Sequence, residues 1–126
     1  MEDAINKVLE AMRADYKRWS MSTRTVHQDV DEFNREMDIR NKMIVEYCEG
    51  LAVKEGSRYW KITGSNGSGS QVSVKGFIVK AGDKKFREGD MLKAAGWAAP
   101  ARNFARGNVL DGSIVPGINV QWTGIG

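Results

Sequence analysis

None of the chain's 14 glycines precedes Gly50, and both prolines, Pro100 and Pro116, come later still. Gly and Pro are the residues least compatible with a helix interior. The first part of the chain can therefore run as long helices, and the remainder, interrupted every few residues, cannot. The expected class is α+β, with N-terminal long helices followed by a small antiparallel β-sheet domain. The expected boundary sets a helical oligomerisation region at 1–50 against an antiparallel β ligand-binding domain at 51–126. Charge changes at the same place: residues 1–50 carry 8 Lys/Arg against 11 Asp/Glu, net −3, and residues 51–126 carry 11 against 5, net +6. The second half is the one suited to anions.

In the first half Ile5, Val8, Met12, Tyr16 and Trp19 recur at steps of three and four, which predicts a helix from about Asp3 to Arg18 with one apolar stripe. The cluster Ser20-Met21-Ser22-Thr23 offers N-cap side chains and predicts a break. Beyond it Val26, Val30, Phe33, Met37, Ile44, Tyr47 and Leu51 continue the stripe, with Arg40 interrupting it. A second helix of roughly 25 residues ending at Gly50 would be about 38 Å long. A domain of this size cannot cover that stripe alone, so self-association through the helices is expected, a helical hairpin folded over the chain's own sheet being the alternative.

After Gly50 the period shortens. Arg58–Thr63 and Gln71–Lys80 are runs of aromatic and β-branched residues joined by the loop Gly64-Ser65-Asn66-Gly67-Ser68-Gly69-Ser70, and they predict a hairpin. Strict alternation along the second strand places Val72, Val74, Gly76 and Ile78 on one face and Ser73, Lys75, Phe77 and Val79 on the other, so that Phe77 shares the more polar side. A turn within residues 81–90 precedes a short strand over Met91–Ala94, and the Gly-rich tail from Asp111 reads as a last edge strand or a loosely ordered end.

Composition excludes several classes. At 41% hydrophobic and 28% charged the chain is an ordinary globular one, and its longest uncharged stretch, Gly112–Gly126, falls short of the ~18 apolar residues of a spanning helix. No membrane partner is expected. The acidic start Met1-Glu2-Asp3 lacks the charge pattern of a signal peptide, and the single Cys48 allows neither an internal disulfide nor a multi-thiolate zinc site. The Gly/Ser loop lacks a Gly-Lys-Ser/Thr ending and leads into a strand, so it is not a phosphate loop. His27 is the only imidazole, and Asp29, Asp31, Glu32, Glu36 and Asp38 wrap around a helix without metal-ligand spacing. No catalytic residue, metal or cofactor is therefore expected. What remains is a basic set, Lys75, Lys80, Lys84, Lys85, Arg87, Lys93, Arg102 and Arg106, interleaved with Tyr59, Trp60, Phe77, Trp97 and Phe104. Guanidinium groups bind phosphates and aromatic faces stack on bases, so the mixture suits a nucleotide, free or polymeric.

The order Gly56-Ser57-Arg58-Tyr59-Trp60-Lys61-Ile62, then Val74-Lys75-Gly76-Phe77-Ile78, then Gly89-Asp90-Met91-Leu92-Lys93-Ala94-Ala95-Gly96-Trp97-Ala98-Ala99-Pro100-Ala101, closing on Ala105-Arg106-Gly107-Asn108-Val109, resembles a family of small phage proteins that includes the first-described Thoeris anti-defence sponge. The resemblance covers roughly residues 56–110. It implies a non-catalytic protein of the bacterial host cytoplasm that sequesters cyclic ADP-ribose isomers, with cyclic di- or trinucleotides as further ligands, and homo-oligomeric dimers assembling into hexamers. Phe77 would stack on the adenine, Arg106 would contact the base or pyrophosphate, and Arg24 would complete the pocket. Trp97, Asn108, Lys93 and Arg102 complete the candidate ligand-binding set. A nucleic-acid-binding module is the alternative reading of the same basic, aromatic half.

Overall fold

The computed structural model describes residues 1–22, 29–65 and 71–126. Helices α1 (Glu2–Ser22) and α2 (Val30–Gly50) are followed by strands β1 (Ala52–Glu55), β2 (Tyr59–Gly64), β3 (Ser73–Val79) and β4 (Met91–Leu92), then by a two-stranded hairpin of β5 (Val120–Gln121) and β6 (Gly124–Ile125). The first four strands form an antiparallel meander in the order β1-β2-β3-β4. The α+β class expected from the glycine boundary is therefore the observed one.

The break between the helices differs from its expected chemistry. Ser22 remains inside α1, where its hydroxyl donates back to the Trp19 carbonyl at 2.8 Å. The N-cap of α2 is Asp29, in extended conformation, whose side chain accepts from the Asp31 amide at 2.8 Å. Val26 lies outside the described residues, and α2 is 21 residues long.

The stripe of α1 closes one face of the sheet. Ile5, Val8, Met12 and Tyr16 pack in one cluster with Tyr47 of α2 and with Ile62, Ile78, Met91, Val120 and Ile125 from the second half. Residue 50 thus separates two kinds of secondary structure but not two cores, and α1 serves the chain's own sheet. In α2 only Tyr47 is buried among the described residues, while Val30 is 70% and Ile39 61% exposed.

The tail is an ordered clamp. Trp122 packs edge-on against Tyr16 at 5.2 Å and tilted against Trp19 at 4.7 Å, while Tyr16 and Tyr47 stack at 4.3 Å. The Trp122 amide donates to the buried Asp15 carboxylate at 2.8 Å, and the Tyr47 hydroxyl donates to the Trp122 carbonyl. Ile125 then lies so close over Gly76 that a Cβ there would come within 2.6 Å of it. Gly76 is thus a position where only glycine lets two strands approach.

Strict alternation fails in β3, for one reason. Ile62 pairs with Gly76 and Thr63 with Val74, so Lys75 is an extra residue opposite no partner, a β-bulge. The bulge turns Lys75 toward the helices, where its ammonium lies 5.7 Å from the Tyr47 ring centroid and burial lowers its pKa. Val74 moves to the opposite face, where it packs with Phe77, Val79, Phe86 and Leu92.

Candidate functional site

The outer face of the sheet, turned away from α1, carries Lys54 of β1, Lys61 of β2, Phe77 of β3 and Leu92 of β4 in a row fixed by cross-strand register. Loops after β3 and β4 cover one end of this row. There Phe77 is 3% exposed, within a cluster that also contains Phe86 and Ala105, and it meets Tyr59 edge-on at 5.6 Å. The expectation that Phe77 shares a more polar face of its strand is corrected: its ring is core. It still contributes to the floor of a depression of about 360 Å³, whose walls include Lys54, Arg58, Tyr59, Lys61 and Ala98.

At the uncovered end, Lys54 and Lys61 face each other across β1 and β2. Like charges directly opposite one another destabilise a sheet. Here both ammonium groups lie over the same indole, that of Trp97, at 5.9 and 4.3 Å from its ring. Cation–π attraction offsets part of the repulsion, by about 0.5–1 kcal/mol at an exposed site. Trp97 is itself 53% exposed.

A second concavity, of about 520 Å³, adjoins the first along Ser57 and Arg58 and is lined by Lys80, Asp83, Lys84 and Arg102. Arg102 binds Asp83 in a fork, at 2.9 and 3.0 Å, and donates to the Tyr59 hydroxyl at 2.5 Å. This fork, with the Phe86 and Lys85 amides, holds the Asp83 carboxyl far below the usual carboxylate range, and Asp83 in turn raises the Arg102 pKa.

The remaining candidates do not converge on this surface. Asn108 is 3% exposed: its amide donates to the Glu88 carbonyl at 2.9 Å and to Asp90 at 2.8 Å, and its carbonyl accepts from the Leu110 amide at 2.7 Å. Its side chain is a structural hub. The segment around it runs along the free edge of β4, with the Met91 amide bonded to Gly107 and the Arg106 amide to Met91, each at 2.8 Å. Gly107 has φ +144°, and a Cβ there would come within 2.8 Å of Met91 and Asn119. Thus Gly89-Asp90 and Gly107-Asn108, which open and close part of the run that carries the sequence resemblance, have duties within the fold. Arg106 stacks its guanidinium on Phe104 at 3.7 Å and bonds Asn103 at 3.2 Å. Lys93 lies beside the C-terminal hairpin in a separate concavity of about 240 Å³. Arg24 and His27 lie outside the described residues.

Among the candidates the structure therefore groups Trp97, Phe77 and Arg102 with Lys54, Arg58, Lys61 and Tyr59. Lys54 carries no strand signal in the sequence, since Ala52-Val53-Lys54-Glu55 has no aromatic residue and one β-branched one; only the pairing of β1 with β2 reveals the lysine pair. No group of three or more His, Cys, Asp and Glu side chains arranged to hold a metal occurs among the described residues. No helix among them is long and apolar enough to cross a membrane.

The molecule is a small α+β protein whose sheet is closed by helices on one face and open, basic and aromatic on part of the other. It belongs to a family of unknown function, DUF7717, whose profile matches residues 1–125. No curated protein and no solved structure matches the chain.

Proposed function

We propose that this protein is a non-catalytic binder of anionic nucleotides, and that within this class it sequesters cyclic nucleotide immune signals, cyclic ADP-ribose isomers foremost and cyclic oligonucleotides next, so as to block Thoeris or CBASS anti-phage defence in the bacterial cytoplasm. The class rests on one observation: Lys54 and Lys61, cross-strand partners, share the exposed Trp97 ring at the rim of a depression walled by Arg58 and Tyr59. A like-charge pair held beside an accessible aromatic face is relieved by an anion that also carries a base. The narrower reading draws on the sequence resemblance. The exposed apolar positions of α2, Val30 and Phe33 among them, support assembly into dimers and hexamers as part of the same proposal.

The depression is the size of a small ligand pocket. A sponge that competes with a sensor needs a dissociation constant near nanomolar, on the order of −12 kcal/mol. Native mass spectrometry with a panel of cyclic ADP-ribose isomers and cyclic oligonucleotides tests both statements. The expected result is a ligand-bound oligomer from which heating releases the nucleotide intact. Release of linear ADP-ribose would identify an enzyme, and the absence of any nucleotide adduct would remove the proposal.

The run of Lys54, Lys61, Arg58 and Lys84 across two adjoining concavities also favours a second reading, binding of single-stranded nucleic acid. The two readings separate on salt. A polymer releases several counterions and loses affinity steeply as salt rises, and a small cyclic nucleotide does so shallowly.

A further inference from the structure

We propose that the cavity of about 520 Å³ beyond Arg58 is a second anion site, built for a terminal phosphate monoester. Its floor is a fixed salt bridge. The Asp83 side chain is 4% exposed, and both its oxygens are occupied: Oδ1 accepts from Arg102 at 2.9 Å, from the Lys85 amide at 2.8 Å and from the Phe86 amide at 3.0 Å, and Oδ2 accepts from Arg102 at 3.0 Å with Arg58 at 3.5 Å. The carboxylate therefore stays ionised at any physiological pH and pins the turn that carries Lys84. Lys80, on the opposite wall, is paired with Glu55 at 2.6 Å.

The charge balance defines the ligand. Four cations, Arg58, Lys80, Lys84 and Arg102, stand against Asp83 and Glu55, which leaves two positive charges in surplus. They reside on Arg58, whose side chain is 63% exposed, and on Lys84, which makes no ion pair among the described residues. A phosphate monoester carries about −1.5 to −2 at neutral pH, and a diester carries a single charge. The surplus therefore matches the monoester, bound by charge-assisted hydrogen bonds to a guanidinium and an ammonium. Because the turn is already ordered by Asp83, binding requires little further ordering.

Titration of the protein with inorganic phosphate, adenosine, adenosine 5′-monophosphate and adenosine 3′,5′-cyclic monophosphate, followed by amide and indole resonances, tests the site. Inorganic phosphate should shift the amides of residues 80–85 saturably, and more tightly at about pH 8 than at about pH 5 as the second phosphate proton is lost. Lys84→Ala should weaken this response about tenfold, the scale of one hydrogen bond to a charged group, while leaving shifts of the Trp97 indole by adenosine unchanged. Arg58→Ala should weaken both. A phosphate response confined to Lys54 and Lys61, no saturable response at all, or equal Lys84-dependent affinity for the cyclic diester and the monoester would each overturn the proposal. Adenine binding at Trp97 without a phosphate response would remove this site and leave the nucleotide-binding reading standing. A phosphate response without any nucleotide binding would do the reverse.

Discussion

Phe77 and Trp97 lie on the same side of the same sheet, and their surroundings are opposite. Phe77 is enclosed by Val79, Phe86 and Leu92 beneath the loops that follow β3 and β4, and it is 3% exposed. Trp97 sits at the uncovered end with two ammonium groups over its ring and about half its surface in solvent. A large aromatic side chain contributes to stability where its surface leaves water and to recognition where it stays available. The comparison locates the site more sharply than residue type does, because both rings satisfy the compositional criterion of an aromatic among basic residues. It also separates two uses of polar groups. The Asp90–Asn108 pair is buried and bonded within the fold, whereas Arg58 and Lys84, on the walls of the second concavity, retain surplus charge.

Alanine substitution at the two rings tests this contrast most strongly. Phe77→Ala should cost about 3–5 kcal/mol of stability through lost burial and the cavity left behind, read by urea denaturation. Trp97→Ala should leave stability within ~0.5 kcal/mol and weaken nucleotide binding by about 1–3 kcal/mol, the range for a lost base–aromatic contact. If Phe77→Ala is the neutral variant and Trp97→Ala the destabilising one, the assignment of the covered and open ends is wrong.

The polar hub should give the next largest effect. Asn108→Ala removes a buried bond from Asp90 and part-buried bonds from the Leu110 amide and the Glu88 carbonyl, a total of about 1–3 kcal/mol. Thermal denaturation should show a clear drop in midpoint. Ligand affinity, corrected for the folded fraction, should not change; a folded Asn108→Ala protein that has lost affinity would place Asn108 back among the ligand contacts.

The halves of the fold were legible in the sequence because glycine distribution and the three/four spacing of Ile5, Val8, Met12 and Tyr16 are local signals. The site was less so, since its defining relations are non-local. A single bulge at Lys75 inverted the expected faces of Lys75 and Val74, and nothing in Val74-Lys75-Gly76 announces an extra residue. Gly76 marks the approach of Ile125, about fifty residues later in the chain. The Gly-rich tail left an edge strand and a loosely ordered end equally open, because its strands are only two residues each and its order comes from Trp122 among the helical aromatics. The resemblance includes the letters Gly-Asp and Gly-Asn and so points to Asn108 for binding, whereas the partners of its side chain are all within the fold.

A smaller effect is expected at the lysine pair. Lys61→Ala removes a like charge opposite Lys54 and one cation from Trp97, two changes of opposite sign and each below about 1 kcal/mol, so stability should scarcely move. Binding of an anionic nucleotide should fall and its salt dependence should become shallower, because one fewer cation is neutralised. A Lys61→Ala variant that binds as before would show that the pair faces solvent without a ligand.

The effect most specific to the helical side concerns Tyr47. Burial is the main cause that pushes the pKa values of Tyr47 and Tyr16 up from the ordinary tyrosine value of about 10. Above pH ~10 the folded chain therefore holds protons that the unfolded chain has released, and stability, fully present below that pH, declines as pH rises further. Lys75 acts with the opposite sign: its pKa is lowered by burial, so the folded chain loses that proton first and stability increases with pH as the ordinary lysine value of ~10.4 is approached from below. Stability should accordingly pass through a maximum in the alkaline range and then fall, the Cys48 thiol, whose pKa burial also raises, adding to the decline. Tyr47→Phe removes the hydroxyl that donates to the Trp122 carbonyl, at about 0.5–1.5 kcal/mol near neutrality. It should also flatten the alkaline decline while leaving the climb below it intact. Urea midpoints measured across the alkaline range for both proteins read the difference directly, and parallel curves would show that the Tyr47 hydroxyl does not titrate with the opening of the clamp between the helices and the C-terminal hairpin.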